Sequence, residues 1–220
     1  MKNGFTLSEV LVTLGIIGVV AALTLPAVIT NYQKQATVTK LKKAYSEMYQ
    51  AVNLSINDND VVENWDFNLD NEQFVNKYIL PYMKTTGYQK NKESLGRYLV
   101  SLNNGTEILF AKHRSSVYPI SISVQVYLNG YNNSKINGKN IFYFYIYPQK
   151  SNAYNSGNGT EARNIPAGGF YYDGYGMSRN ELISDYYRGC KKEITYGLNG
   201  SHCTGLIILD GWKISDDYPW

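Results

Sequence analysis

The chain is poor in the residues from which active sites are usually built. It has two histidines and two cysteines among 220 residues. It shows no G-x-S-x-G elbow, no phosphate-cradling G-x-x-x-x-G-K and no H-E-x-x-H, so hydrolytic, nucleotide and zinc-peptidase chemistry have no motif to stand on. Cys190, His202 and Cys203 lack a fourth ligand and paired spacing, which argues against zinc. His113, followed by Arg114, reads as a surface or strand residue rather than a general base. Charge of one sign is also scarce. With 21 basic and 18 acidic side chains the net charge is +3, too weak a field to argue for nucleic acid by itself. Phenylalanine is sparse, at seven, where tyrosine reaches 21. That excess suits a partly wet, self-packing extracytoplasmic surface, or reflects compositional bias.

Charge is absent altogether from Val10 to Ile29. About 20 apolar residues in a helix cross the roughly 30 Å hydrocarbon core of a bilayer. At the edge of this run stands one acid, Glu9. A carboxylate near a membrane helix is costly, so it needs a partner or a task. The apolar run offers no base, and the partner is expected from elsewhere.

The residues from Gly4 to Pro26 resemble the prepilin signature of type IV pilins and type II secretion pseudopilins: Gly4, Phe5, Thr6, Leu7 and Glu9, then the apolar run. Ser8 departs from the commoner aliphatic residue. The resemblance implies cleavage by a prepilin peptidase between Gly4 and Phe5, N-methylation of Phe5, and pairing of Glu9 with the Phe5 amine of a neighbouring subunit, which sets subunit register. Pro26 stands where many relatives carry a helix-loosening proline, and Thr24 or a neighbour is expected to compensate for its missing hydrogen bond. An ordinary secretory signal fits less well, because ALTLPAVITN offers a poor cleavage site. A generic anchor leaves Glu9 without a reason.

The expected organisation is a leader at 1–4, a transmembrane or filament-core helix at 5–30, its amphipathic continuation at 31–56, and a globular head at 57–220. Val38, Leu41, Tyr45, Met48, Val52 and Ile56 form an apolar stripe at spacings of three and four. A coiled-coil seam is the alternative, although the stripe lasts under three heptads. A helix to Ile56 has a length on the order of 75 Å at 1.5 Å per residue. NDND at 57–60 ends it. Asp70 caps a second helix with Gln73, and Pro81 closes it. Strands are expected at Arg97–Leu102 and Glu107–Ala111 around an Asn104–Gly105 turn, at Val117–Leu128 with Pro119 near its start, at Ile141–Tyr147 and at Leu206–Leu209. Gln149–Gly169 reads as a long surface loop. The fold class is therefore α+β: a long N-terminal helix packed on an antiparallel sheet head, as the resemblance also implies.

The positive-inside rule conflicts with that resemblance. Lys34, Lys40, Lys42 and Lys43 after the span outnumber Lys2 before it, which by itself puts the head in the cytoplasm. The resemblance implies the reverse, a single-pass bacterial inner-membrane protein with a cytoplasmic N-terminus and an extracytoplasmic head. Cys190 and Cys203 lie where pilins often carry a C-terminal disulfide loop, and a disulfide is expected there, two free thiols being the alternative. Some major pseudopilins bind calcium near the C-terminus, so Asp210, Asp216 and Asp217 are weak calcium candidates. Asp66, Asn68 and Asp70 open a calcium-loop pattern that fails at Asn71 and Lys77. No other cofactor is implied.

The leading expectation is a non-enzymatic filament subunit whose partners are the prepilin peptidase, other pilin or pseudopilin subunits and an inner-membrane assembly platform. Gly15, Gly18, Ala21 and Ala22 allow close helix approach. The segment YLNGYNNSKINGKNIFYFYI loosely resembles a pseudopilin pattern and favours secretion over a surface pilus. A competence-type pilin binding DNA through Lys90, Lys92, Arg97, Lys112, Arg114, Lys135, Lys139 and tyrosines is the alternative. A membrane-anchored enzyme is a third class, without a catalytic constellation.

Overall fold

The computed structural model describes Gly4, residues 6–90, 96–113, 120–133, 136–149, 165, 166, 168–192 and 200–220. Two compact units are present, Met1–Ala36 and Thr37–Trp220. Helix α1 covers Leu7–Asn59, three residues beyond the expected end. Its first part is apolar enough to cross a membrane, and none of that stretch is buried. Pro26 sits inside the helix without ending it. The Thr24 hydroxyl donates to the Val20 carbonyl at 2.9 Å and the Thr30 hydroxyl to the Pro26 carbonyl at 2.9 Å. Thr24 thus satisfies itself rather than the carbonyl that Pro26 leaves without its amide, which belongs to Ala22 four residues earlier.

In the second unit, the later part of α1 buries Leu41, Ala44, Met48, Ala51, Val52 and Ser55. Val38, Tyr45 and Ile56 pack partly buried against the same core. The apolar stripe is therefore core packing, as its spacing predicts. The surface it meets is an antiparallel sheet of six strands among the described residues: β1 (Thr85–Lys90), β2 (Tyr98–Leu102), β3 (Glu107–His113), β4 (Ser121–Tyr127), β5 (Ile141–Tyr147) and β6 (Gly169–Tyr172), in simple sequence order. Alternation along β3, β4 and β5 sends Ile108, Phe110, Ile122, Val124, Val126, Phe142, Phe144 and Ile146 to the helix-facing core. Phe110 pairs with Val124, and Val124 with Phe144, across adjacent strands. Leu99, Leu109, Tyr127, Ile141 and Tyr143 form a smaller cluster on the opposite face. The Tyr45 ring ties α1 to this architecture, lying 5.7 Å from Phe144, 5.8 Å from Phe170 and 5.4 Å from Trp212.

Helix α2 (Asn71–Tyr78) begins with the expected capping box, Asp70 accepting from the Gln73 amide at 2.8 Å and Gln73 returning the bond at 3.2 Å. The Asn104–Gly105 hairpin joins β2 and β3, and β5 has the bounds expected for it. Val117 and Pro119, at the start of the expected fourth strand, lie outside the described residues. So does most of the expected 149–169 loop, whose last residue, Gly169, instead opens β6. Helix α3 (Arg179–Ser184) was not expected, although Ser178 and Glu181 form a second capping box.

The expected strand at Leu206–Leu209 is corrected: Cys203–Leu209 is helix α4, burying Cys203, Thr204, Gly205, Leu206 and Ile207. A short apolar run has no decisive period, so its partners choose the form. Here the Thr204 hydroxyl accepts from the Tyr143 amide at 2.9 Å, while the Tyr143 carbonyl accepts from the Asp173 amide at 3.0 Å. The first bond docks α4 beside β5, and the second holds the residue after β6 to the same strand.

Met48 is fully buried and Leu54 is 50% exposed on the same helix. Met48→Ala is expected to destabilise the detergent-solubilised chain by about 2–5 kcal/mol, and Leu54→Ala by about 0.5 kcal/mol or less. Urea titrations followed by tryptophan fluorescence check both values.

Candidate functional site

The N-terminal site starts from a local hydrogen-bonding pattern. Thr6 and Glu9 stand three residues apart at the start of α1, the T-x-x-E spacing of a capping box. The Thr6 amide donates to Glu9 Oε2 at 2.8 Å, the Thr6 hydroxyl donates to the same oxygen at 2.8 Å, and the Glu9 amide donates back to Thr6 Oγ1 at 3.3 Å. Glu9 therefore has a partner inside its own chain, a backbone amide and a neutral hydroxyl rather than a base. The signal was present as Thr6 and Glu9 before an apolar run. The box satisfies orphan amide donors of the first turn, and the acid suits the positive end of the helix dipole. Gly4 lies before the helix and is exposed, and Phe5 lies outside the described residues. Beyond Glu9 the helix surface is apolar and open, with Leu11 62% and Ile17 63% exposed.

A second constellation lies at the C-terminal end of the head. Cys190 and Cys203 form a disulfide with their Cα atoms 4.7 Å apart, and there are no free cysteines. Closing a 13-residue separation restricts the unfolded chain by roughly 3 kcal/mol in the loop-entropy description. The flanking backbones pair as well, the Gly200 amide donating to the Gly189 carbonyl at 2.9 Å and the His202 amide to the Arg188 carbonyl at 3.0 Å. Behind them is a buried charge cluster that the sequence reading missed, because its members are 15 and 14 residues apart along the chain. Arg188 Nη1 donates to Asp173 Oδ1 at 3.2 Å and to the Tyr145 hydroxyl at 3.2 Å. His202 Nε2 lies 3.8 Å from Asp173 Oδ1. Asp173 is 5% exposed and His202 is fully buried.

Burial by itself raises the Asp173 carboxyl pKa, but Arg188, His202 and the Ser201 hydroxyl outweigh it and hold it below the usual carboxylate range. Burial pushes the Tyr145 and Tyr143 hydroxyls up to about 12, so both stay neutral beside the cluster. His113 ends β3 with its ring 6.3 Å from Tyr145, and burial followed by Arg188 and Arg97 lowers its pKa.

The acids weighed as calcium ligands are used differently. Arg179 donates from Nε to Asp210 Oδ1 at 2.8 Å and from Nη2 to Asp217 Oδ1 at 2.8 Å. Ser215 Oγ donates to Asp210 Oδ2 at 2.9 Å. A guanidinium thus stands between two of the three acids, and Asp216 is exposed outside this clamp. Its fork neutralises both carboxylates and fixes the chain after α4 to the start of α3. No group of three or more acids, histidines or cysteines suited to a metal occurs among the described residues. Two of the bases weighed for DNA are engaged in the head: Lys112 donates to the Leu69 carbonyl, and Lys139 lies 5.0 Å over the Trp220 ring.

Two family models match the chain. One, described as a prokaryotic N-terminal methylation motif, covers residues 1–25, and this is the type IV pilin and pseudopilin signature. The other, described as a family of unknown function (DUF6613), covers residues 27–220. The chain belongs to the DUF6613 family. No curated protein and no solved structure matches it. The DUF6613 match takes in the whole sheet, the charge cluster and the disulfide, whereas the methylation motif takes in Gly4, Glu9 and most of the apolar run. Pro26 lies between the two matched stretches.

Removing the cap should loosen the first turn of α1 alone. Thr6→Val is expected to cost about 1 kcal/mol of local helix stability, read as faster amide exchange at residues 7–10 in micelles with residues 15–25 unchanged. For Asp173 the sign follows from its depressed value. Its contribution is complete above an unfolded carboxyl pKa of about 3.9 and is lost as pH falls through the lower folded value. Asp173→Asn is therefore expected to be less stable than the wild type at pH 7, yet to lose less stability between about pH 4 and pH 2. Thermal melts across that range check the difference.

Proposed function

We propose that this protein is a structural subunit of a type IV pilus-like or type II secretion pseudopilus filament, not an enzyme. The observation that carries the reading is the methylation motif at residues 1–25, joined to an apolar helix surface with nothing covering it. Such a surface suits the membrane first and neighbouring helices afterwards, where packing rather than hydrophobic transfer drives association. Prepilin peptidase cuts between Gly4 and Phe5, and the new Phe5 amine is methylated. The helix anchors the subunit once in the inner membrane, with the head on the extracytoplasmic side, where an oxidising compartment supports the Cys190–Cys203 disulfide.

Glu9 then has two successive partners. Within its own chain Thr6 holds the carboxylate, and in the filament the Phe5 amine of a neighbour adds a positive charge. A pair of this kind in a low dielectric penalises other registers. Intact mass and N-terminal analysis of membrane-extracted protein is expected to show loss of Met1–Gly4 and one methyl group on Phe5. An N-terminus at Met1 would overturn the reading. Glu9→Val is expected to be cleaved normally while filament yield falls roughly tenfold, equivalent to about 1.4 kcal/mol in assembly. Unchanged yield would remove the register role without touching the cleavage result.

A further inference from the structure

The disulfide and the buried charge cluster share the same two pieces of chain. Arg188 stands two residues before Cys190, and His202 stands immediately before Cys203. Their common target, Asp173, follows the end of β6. On one side, the 185–190 turn is organised from α3. Asp185 Oδ1 accepts from the Tyr187 amide at 3.0 Å and the Arg188 amide at 2.8 Å, and the Cys190 amide donates to the Leu182 carbonyl at 2.8 Å. On the other side, His202 leads into α4, its carbonyl accepting from the Leu206 amide at 3.0 Å. The two sides meet where the Gly200 amide donates to the Gly189 carbonyl at 2.9 Å, and both glycines are tightly set: a Cβ on Gly189 falls 2.4 Å from the Asp185 carbonyl oxygen, and one on Gly200, whose φ is +83°, falls 3.0 Å from the Asn137 carbonyl oxygen. Close backbone approach is thus part of the arrangement.

We propose that the Cys190–Cys203 disulfide and the Asp173–Arg188–His202 cluster form one latch, so that opening the disulfide opens the cluster, and neutralising Asp173 makes the disulfide easier to reduce. The reason is reciprocity: if the crosslink favours the geometry in which Arg188 and His202 reach Asp173, the charged cluster favours the crosslink by the same factor. The groups facing Asp173 are Arg188, His202 and the Ser201 hydroxyl from the two crosslinked segments, with Tyr143, Tyr145 and Tyr147 from β5. Arg97 and His113, from the β2 and β3 side, reach the cluster only through Arg188 and the tyrosines. Of these, the groups that offset the buried carboxylate most directly, the Arg188 guanidinium and the His202 imidazole, are both delivered by the disulfide-linked segments. A carboxylate 5% exposed cannot keep its charge cheaply once both withdraw. Reduction by a dithiol breaks the Sγ–Sγ bond and places two electrons and two protons on the sulfurs, giving two thiols, while the dithiol closes to its own cyclic disulfide. Opening confined to these two segments leaves the sheet in place, because the β1–β6 ladders pair without them.

The test is a redox titration at pH 7 of the detergent-solubilised full chain, with dithiothreitol and its oxidised form as the couple. Asp173→Asn is expected to shift the equilibrium about tenfold towards the dithiol form, about 30 mV for a two-electron couple. Met48→Ala, which weakens the packing of α1 on the core without touching Asp173, Arg188 or His202, is expected to leave the midpoint in place. Hydrogen exchange on the reduced wild type supplies a reading that needs no variant: the amides of Cys190, Gly200 and His202 should lose protection while those of Phe110 and Val124 keep it. An Asp173→Asn midpoint equal to the wild type, an equal shift in Met48→Ala, or protection retained at His202 after reduction each overturns the latch.

Discussion

Everything in the head depends on one face of α1 being buried against one face of the sheet. Leu41, Ala44, Met48 and Val52 supply the helix side, and Phe110, Val124, Phe142 and Phe144 are among the sheet side of the same continuous core. Hydrophobic burial of this kind is non-directional, so it does not itself fix where each strand lies. The fixing is done by alternation along β3, β4 and β5, which leaves one register in which Ile108, Phe110, Ile122, Val124, Val126, Phe142, Phe144 and Ile146 all face α1. The same helix, earlier in its sequence, has an apolar surface all round. One element therefore serves two environments, and the change occurs where the apolar residues shrink from a full cylinder to a stripe.

The C-terminal third works by a different principle. Its elements are short, with α3 six residues long and α4 seven, too short to persist alone. Besides burying Leu182, Leu206 and Ile207 in the core, they are fastened by specific connections: the Arg179 clamp on Asp210 and Asp217, the Thr204 and Asp173 bonds to Tyr143, and the disulfide. Fastening of this kind adds to the limited apolar area that such short segments bury.

The contrast between those two regimes explains what could be read in advance. The α1 stripe, the Asp70 cap, the Asn104–Gly105 hairpin and β5 each carry a local period or turn signal, and the structure has them where those signals stand. Leu206–Ile207–Ile208–Leu209 carries no such signal, since four apolar residues fit strand and helix equally, and the core that buries Leu206 and Ile207, with the Thr204 bond to Tyr143, accommodates a helix. Strands β1 and β6 escaped notice because TTGYQK and GFYY hold glycine and little alternation. The cluster of Asp173, Arg188 and His202 is built by topology alone. By contrast, Thr6 with Glu9 and Ser178 with Glu181 are legible as capping boxes, each a Ser or Thr three residues before a Glu at a helix start.

The simple order of the sheet has a kinetic meaning. Each strand from β1 to β6 pairs with the next one in sequence, so the ladders from β1 to β5 form between segments close along the chain with little search, and β6 alone joins across a long connection. A head that emerges gradually, N-terminal end first, can build its sheet hairpin by hairpin against an α1 that is already present. Both cysteines follow β6 in the sequence, so the segment they crosslink is made after all six strands. The crosslink therefore closes over a sheet whose strands have already been synthesised.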